Sequence, residues 1–538
     1  MKRTSLIACG LLLAWCMAAQ ADDRPNIVVV MLDDLGYSDL GCYGGEIQTP
    51  HIDTLAKSGL RFTSFYNCAR CCPTRAALLT GLYPHQVGLI RNGRSLTKDG
   101  VTIAEALQAA GYQTAMSGKW HLSETNPLRD RQKQLDWLNH QSNFNRPFAP
   151  LETYPANRGF EHHFGPIWGV VNYFDPFSLV DGTSIVPEVP EDFYMTDAIT
   201  DKAVQYINTM AKQDAPFFLY VAHTAPHWPL HAKPTDIAKY EKTYAEGWQK
   251  LRDDRYQRMV DLGIIDPATH PKPSLQGEGP DWHSLNEEER KHMAQLMAVH
   301  AAMVDCVDQG VGQIVEALKE TDRYDNTLIL VMADNGASPE RYLNPGFDRP
   351  NETRGGNPIQ YEGIFEPGSE QTWGYIGSYW ANAGNTPFRY WKAQSFEGGT
   401  HTPLIAHWPS GLKTEAGSMT DQPGHVMDIM PTCLEIAGAD YPTTFDGHAV
   451  KPLEGKSLKP ILSGIQRDGH DQLYFEHEGG KAIIANGWKL VQPKQNGDWE
   501  LYHLAKDRTE TKNIAAAHPD RVAAMKQQWQ AWFDRVRP

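Results

Sequence analysis

The sequence predicts an α/β fold in which helices sandwich a large, mixed but mostly parallel sheet, followed by a smaller C-terminal α+β domain with an antiparallel sheet. The first observation is a set of short apolar runs bounded by polar turns, at 24–34, 111–121, 215–227, 326–336 and 401–409. The second is that helical patterns separate these runs, at 101–110, 198–212 and 301–320. Continuous apolar strands that alternate with helices indicate a sheet covered on both faces.

The third observation is a change of pattern after Gly438. Two stretches there resemble hairpin strands, and the chain closes with an amphipathic helix, PDRVAAMKQQWQAWFDRV. We therefore divide the chain into a signal peptide at 1–21, a main domain at 22–465 and a C-terminal α+β subdomain at 466–538. Within the main domain, 235–295 reads as a proline-broken insertion and 340–390 as long loops near a binding site.

The N-terminus has the three parts of a secretory signal peptide. Lys2 and Arg3 precede an apolar run at 6–18, and a small-residue cleavage site ends at Ala21. No later stretch is apolar for long enough to serve as a membrane anchor. We expect a secreted or periplasmic protein after cleavage near Ala21.

The chain of 538 residues is acidic, with a formal net charge of −15 that falls to about −17 once Lys2 and Arg3 leave with the leader. Such a charge argues against nucleic acid as a partner. Any anionic ligand therefore requires a local basic pocket.

Six cysteines remain after the predicted cleavage, which is too few for a disulfide-stapled scaffold of this length. They are Cys42, Cys68, Cys71, Cys72, Cys306 and Cys433. The segment NCARCCPTRAALLTG, at 67–81, holds three of them within five positions. No second Cys-x-x-Cys pair exists to complete a four-cysteine zinc site.

Pro73 suits the first turn of a helix, which Gly81 can end, so Cys71 is expected just before the helix N-terminus. The N-terminal dipole and the nearby Arg75 would make a thiol there acidic and reactive. From these residues alone, a disulfide between Cys68 and Cys72, or a bridge to Cys42, remains an equal alternative.

Two polar pairs follow predicted strands: Asp33-Asp34 and Asp334-Asn335. Either pair alone is common at a strand end. Together, at one edge of a sheet, they favour a metal site, and their hard oxygen atoms suit Ca²⁺ or Mg²⁺ rather than zinc. His223, His227 and His231 recur at four-residue spacing, but intervening prolines disfavour a helical zinc site.

Two motifs resemble the signatures of the formylglycine-dependent type I sulfatases, the arylsulfatase family of the alkaline phosphatase superfamily. The first is Cys71-x-Pro73-x-Arg75 followed by Leu-Thr-Gly, and the second is GYQTAMSGKWH at 111–121. The resemblance implies an alkaline-phosphatase-like fold and a maturation enzyme that oxidises Cys71 to formylglycine. Cys68 and Cys72 are then bystanders.

The resemblance also implies a full set of site residues. The metal ligands are Asp33, Asp34, Asp334, Asn335 and the modified residue 71, with Ca²⁺ favoured over Mg²⁺. The catalytic residues are Cys71, Arg75, Lys119, His121, His227 and Lys392. One position departs from the family pattern, because His401 stands where an arginine usually follows Glu-Gly-Gly-x.

The implied reaction is hydrolysis of a sulfate monoester. The hydrated aldehyde at residue 71 attacks sulfur, and His227, together with Lys392, protonates the leaving alcohol. His121 then helps to remove the second hydroxyl proton and sulfate leaves. The substrate is a sulfated small molecule or, as the aromatic loops favour, a sulfated carbohydrate. The alternatives are a phosphoesterase or phosphonate hydrolase of the same superfamily, and an unmatured protein that only binds sulfated glycans.

Overall fold

The computed structural model describes residues 23–142, 144, 146–493 and 497–537, so the predicted signal peptide lies outside the described residues. The described part contains one large sheet. Its strands are β1 (Asn26–Leu32), β2 (Leu60–Tyr66), β3 (Gln113–Gly118), β4 (His162–Pro166), β5 (Leu179–Asp181), β6 (Ser184–Ile185), β7 (Phe217–Ala222), β8 (Thr327–Ala333), β9 (His401–His407), β10 (Ser418–Thr420) and β11 (Gly424–His425).

The strand order is β10-β2-β9-β8-β1-β7-β3-β4-β5-β6, with β11 also paired to β2. The central strand β1 runs parallel to β7 and β8, whereas β9 runs antiparallel to β2 and β8. The sheet is therefore mixed with a parallel centre, which confirms the predicted fold class. The five strands predicted from apolar runs are β1, β3, β7, β8 and β9.

Helices cover both faces of this sheet. They are α1 (Pro50–Ser58), α2 (Cys71–Thr80), α3 (Ile103–Ala109), α4 (Arg131–Leu138), α5 (Met195–Met210), α6 (Pro234–Ile237), α7 (Gly247–Asp261), α8 (Glu287–Glu320), α9 (Gly377–Gly384), α10 (Glu397–Thr400), α11 (Ile429–Ala437) and α12 (Lys459–Leu462). Alternate residues of β1 enter different cores: Val29 belongs to one apolar cluster, and Val30 to the other. This explains why the strand is apolar without a period of two.

The insertion predicted at 235–295 contains α6, α7 and the start of α8, which is a longer helix than the pattern at 301–320 indicated. Asn286 caps α8 in a reciprocal capping box with Glu289. The predicted loop region 340–390 is mostly irregular and includes the short helix α9.

The C-terminal part contains a second, four-stranded antiparallel sheet with a closing helix. A small hairpin precedes it, formed by β12 (Thr444–Phe445) and β13 (His448–Ala449). The sheet strands are β14 (Gln472–His477), β15 (Gly480–Ala485), β16 (Trp488–Gln492) and β17 (Glu500–His503), and the helix is α13 (Pro519–Val536). Trp529 and Trp532 of α13 pack into the same apolar cluster as one face of the large sheet. No helix within the described residues is long and apolar enough to cross a membrane.

Candidate active site

Two polar pairs lie side by side at the carboxyl edge of the large sheet. Asp33 and Asp34 follow β1, Asp334 and Asn335 follow β8, and the parallel register pairs the last residues of these strands. The amide of Asp34 donates a hydrogen bond to Asp334 Oδ1 at 3.3 Å. All four side chains are buried. The structure thus brings the four predicted metal ligands together.

Helix α2 places Cys71 at the same carboxyl edge of the large sheet. The helix begins at Cys71 itself, one residue earlier than predicted, and ends at Gly81, whose φ of 70° is left-handed. Cys71 is buried, and its Sγ lies 3.8 Å from Asn92 Oδ1. The neighbouring Cys72 side chain lowers the pKa of Cys71 well below its ordinary value; burial opposes this shift, and His121 and Lys119 add to it. The thiol therefore lies in the electropositive setting of a reactive cysteine.

Arg75, one turn into α2, fixes the carboxylates from the helix side. Its Nη2 and Nε donate to Asp334 Oδ2 at 2.8 and 3.1 Å, and Nη2 lies 3.4 Å from Asp33 Oδ2. Its Nη1 donates to the carbonyl of Lys119 at 3.0 Å. The planar guanidinium therefore holds three segments at fixed angles while remaining fully buried.

The second signature places Lys119 and His121 directly after β3. The Lys119 ammonium hydrogen-bonds to Asp33 Oδ2. Burial would raise the pKa of Asp33, but Lys119, His227 and Arg75 together lower it to about 2. His121 has a left-handed φ of 57°, and burial lowers its pKa to about 4. Its Nδ1 has no hydrogen-bond partner within the described part of the chain.

The three histidines after β7 do not converge on one point. His227 Nδ1 donates to the carbonyl of Trp228 at 2.6 Å, and its Nε2 lies 3.6 Å from Asp34 Oδ2. His231 is instead engaged through both ring nitrogens, with the amide of Tyr173 and the carbonyl of Thr372. Burial lowers the pKa of His223 to about 3. Of the three, His227 is the one that lies beside the aspartates, so the structure does not bring the three histidines together as a zinc site would require.

Lys392 approaches the aspartates from the loop before β9. Its Nζ lies 2.8 Å from Asp34 Oδ1 and 3.0 Å from Glu340 Oε2. Glu340 also pairs with Arg70 at 2.6 Å and accepts a hydrogen bond from Trp228 Nε1 at 3.1 Å. Burial opposes ionisation of Glu340, but Lys392 and Arg70 hold its pKa well below its ordinary range.

The donor set fits a hard divalent cation. Asp33 Oδ1 and Asn335 Oδ1 are buried and lack hydrogen-bond partners among the described residues. Oxygen atoms of Asp33 and Asp34 lie within 4.8 Å of each other and of a His227 nitrogen. Burial, together with the neighbouring Asp33 carboxylate, raises the pKa of Asp334 although Arg75 opposes this shift. A bound Ca²⁺ or Mg²⁺ would coordinate the unpartnered buried oxygens and neutralise the crowded carboxylates.

The remaining cysteines and His401 take structural positions. All six cysteines at 42, 68, 71, 72, 306 and 433 are free thiols, so the disulfide alternative is not realised. Cys72 donates to the carbonyl of His121 at 2.9 Å. His401 is buried, and its ring lies 3.0 Å from Glu397 Oε2 and 3.0 Å from the carbonyl of Thr63.

Two residues of the site were missed by the sequence reasoning. Asn92 reaches Cys71 from the loop after Val87, and Glu340 bridges Arg70 and Lys392. Neither lies in a motif or directly after a predicted strand. A half-buried glutamate in a polar loop gives no sequence signal, because only the fold reveals its two cationic partners.

Taken together, the fold and the site define a hydrolase built on a mixed α/β sheet, with a cation-rich pocket for a small anion at the carboxyl edge of that sheet. The family model described as "Sulfatase" matches residues 25–439, and "N-sulphoglucosamine sulphohydrolase, C-terminal" matches 388–534. The chain belongs to the sulfatase family, and it is a sulfuric ester hydrolase.

Several relatives are similar over almost their whole length. An uncharacterized sulfatase of Schizosaccharomyces pombe is 31% identical, covering 94% of this chain and 93% of that protein. The arylsulfatase of Klebsiella aerogenes is 32% identical, covering 88% and 99%. Among solved structures, Ps i-CgsB in complex with k-i-k-neocarrahexaose superposes with a TM-score of 0.64 at 26% identity, covering 95% of this chain and 92% of that one.

Proposed function

We propose that this sulfatase cleaves sulfate monoesters of carbohydrates with residue 71, as formylglycine, as its nucleophile. The observation that carries the proposal is the convergence of Cys71, Arg75, Lys119, His121, His227 and Lys392 around the buried aspartates. When present, the hydrated aldehyde supplies a hydroxyl nucleophile and a second hydroxyl that allows sulfate to leave.

The cations of this chain perform the electrostatic part of the reaction. A sulfate monoester repels nucleophiles with its negative oxygens, so a preorganised positive site lowers the barrier. Arg75, Lys119 and Lys392 provide three buried positive charges in an otherwise acidic protein. Each of these three cations is held in place by a carboxylate, so its side chain does not have to move when the substrate binds.

The two histidines handle protons at opposite ends of the reaction. His227 donates its Nδ1 hydrogen to a backbone carbonyl, which fixes the ring with Nε2 toward the site. When the ring is protonated to the imidazolium, Nε2 carries the proton that it passes to the leaving alcohol, and His227 is left neutral. His121 lies beside Cys71, where it can accept a proton from the modified residue.

The site would hold Ca²⁺ rather than Mg²⁺, through side-chain oxygens of Asp33, Asp34, Asp334 and Asn335. Carboxylates and an amide offer the several oxygen ligands that Ca²⁺ takes. When bound, the cation neutralises sulfate oxygens and lowers the pKa of a coordinated hydroxyl. Treatment with a chelator should abolish hydrolysis of 4-nitrophenyl sulfate and lower the melting temperature, and metal analysis should find about one Ca²⁺ per chain. Full activity in metal-free protein would contradict this assignment.

Three further points remain part of the proposal. The carbohydrate substrate is supported by the carbohydrate complex of Ps i-CgsB and by aromatic residues, among them Trp228 and Phe347, that line a cavity together with His121 and His227. Export through a signal peptide at 1–21 is tested by N-terminal sequencing of the mature protein. A boundary between main domain and C-terminal subdomain near 465 is supported by the start of the second sheet at Gln472.

The reaction class is tested by comparing esters. Wild-type protein, made together with a formylglycine-generating enzyme, should hydrolyse 4-nitrophenyl sulfate much faster than 4-nitrophenyl phosphate. A Cys71→Ala variant should lose turnover while keeping its melting temperature. A preference for the phosphate ester would instead favour the phosphoesterase alternative.

A further inference from the structure

The cavity above the catalytic residues has an unusual concentration of arginines. It has a volume of about 710 Å³, and both His121 and His227 line it. Its wall includes four arginines: Arg70, Arg91, Arg94 and Arg349. The chain as a whole carries a net charge of −15, so this opening has the opposite sign to the rest of the molecule.

Two of these arginines are already paired. Arg70 binds Glu340 at 2.6 Å. Arg349 binds Asp348 at 2.8 Å, and its guanidinium lies 4.4 Å from the ring centroid of Tyr342. The positive charges of Arg70 and Arg349 therefore balance the negative charges of Glu340 and Asp348, two half-buried acids that line the same cavity.

Arg91 and Arg94 are different, since both are exposed and neither forms a hydrogen bond or ion pair with any residue that the structure describes. Between them lies Asn92, whose Oδ1 is 3.8 Å from Cys71 Sγ. Arg94 is two Cα steps from Asn92, about 8 Å of backbone at most. Glu124 is the one exposed carboxylate of this wall. The loop therefore presents two free guanidinium groups to the cavity that His121 and His227 also line.

Aromatic surfaces lie beside these cations. Phe347 is 50% exposed, and its ring centroid is 6.4 Å from that of Trp168. Tyr342 packs 5.0 Å from Trp228 on the other side. Flat apolar faces next to charged groups suit sugar rings that carry anionic substituents.

We propose that Arg91 and Arg94 bind a second anionic group of the substrate, a sulfate or a carboxylate, beside the sulfate that is cleaved. The substrate class is then an oligosaccharide with several anionic groups rather than a simple aryl sulfate. This inference rests on the proposed function. The buried cations Arg75, Lys119 and Lys392 are placed to bind the sulfate that is cleaved. The exposed arginines Arg91 and Arg94 are therefore available for a different anion.

The test is a charge series of ligands. Disaccharides of neutral sugars that carry one, two or three sulfate groups and no carboxylate are titrated into the full-length Cys71→Ala variant by calorimetry. We expect Kd to fall about tenfold from one sulfate to two, as for one charge-assisted contact. The added substitutions Arg91→Ala and Arg94→Ala should remove this dependence on sulfate number. Arg537→Ala, an exposed arginine on the C-terminal segment after α13, is the matched control and should preserve it.

Three results would overturn the inference. In the Cys71→Ala protein, these are equal affinity for all three disaccharides and no measurable binding of any of them. The third is an unchanged charge series after both arginines are removed. Turnover of 4-nitrophenyl sulfate is measured separately on the matured wild type. Because that ester has no second anion, its failure would count against the proposed function while the charge series still decides the role of Arg91 and Arg94.

Discussion

Arg75 shows how a single residue organises the site. Its guanidinium binds Asp334 through two nitrogens and the carbonyl of Lys119 through a third. A lysine carries the same charge but offers no rigid fork of donors. The geometry, more than the charge, is therefore the property that this position requires.

We expect Arg75→Lys to lower kcat/KM for 4-nitrophenyl sulfate by roughly 10²–10³-fold, the usual effect of losing one preorganised donor. Steady-state kinetics on matured protein measures this change. Lys202→Ala, which breaks an exposed pair with Asp181, is the control and should leave the rate unchanged. Wild-type activity in Arg75→Lys would show that charge alone suffices.

His401 illustrates a departure that the structure explains. It replaces an arginine of the family pattern, yet Glu397 is neutralised by Lys489 at 2.7 Å and by Arg508 at 3.4 Å. The His401 ring stacks on Phe388 with centroids 4.5 Å apart. The cations that compensate Glu397 therefore come from the C-terminal part of the chain.

Restoring the family residue should consequently harm this protein. His401→Arg adds a longer cation to a filled, already neutralised site, and we expect it to lower the free energy of unfolding by about 1–3 kcal/mol. Urea denaturation of both proteins measures the difference. An equally stable or more stable variant would mean that Lys489 and Arg508 do not replace the missing arginine.

At the scale of elements, Asp428 joins the start of α11 to the segment before the C-terminal sheet. It accepts hydrogen bonds from the amides of His425 and Lys456 at 3.0 and 2.8 Å, and from Arg467 and His470 at 2.7 and 2.6 Å. Burial opposes ionisation of Asp428, but His470 and Arg467 outweigh it and hold its pKa well below 3.8.

This pKa shift predicts a defined pH dependence of stability. Because the pKa of Asp428 is lowered in the folded state, its ionised carboxylate contributes its full stabilisation above pH 3.8. This stabilisation is lost as pH falls toward the folded-state pKa. Asp428→Asn should therefore cost about 3–5 kcal/mol at pH 7. The cost should shrink by up to about 1.4 kcal/mol for each pH unit below 4. Urea denaturation at pH 7 and pH 3 checks this, and a cost that grows on acidification would contradict it.

The sequence predicted the central strands well, and the polar pairs at their ends could be recognised, for a physical reason. Buried central strands such as β1 and β8 are continuous apolar runs, and the polar residues after them stand out sharply. The short edge strands β5, β6, β10 and β11 have two or three residues each and no pattern to recognise. Glu340 and Asn92 were missed because tertiary contacts alone give them partners.

At the scale of the whole molecule, a buried ion cluster ties the C-terminal sheet to the edge of the large sheet. Lys489 of β16 lies 2.7 Å from Glu397 and 3.0 Å from Glu510, and all three side chains are fully buried. The C-terminal sheet therefore contributes a charge that the segment before β9 requires.

Removing this charge should destabilise the entire protein. Lys489→Met leaves Glu510 without its buried cation and leaves Glu397 with Arg508 alone, and we expect a loss of about 3–5 kcal/mol in the free energy of unfolding. Adding Glu510→Gln should recover part of it. Lys98→Met, which breaks an exposed pair with Asp446, should cost less than about 1 kcal/mol. A Lys489→Met loss as small as that of Lys98→Met would argue against the cluster as a structural link.

The central claim concerns residue 71, and mass spectrometry of the tryptic peptide that contains it is the most direct test. In protein produced with a formylglycine-generating enzyme, we predict that the peptide is lighter than its unmodified form by the difference between cysteine and formylglycine. The modified fraction should match the fraction of active enzyme in single-turnover kinetics. Active protein whose residue 71 is entirely unmodified cysteine would contradict the account.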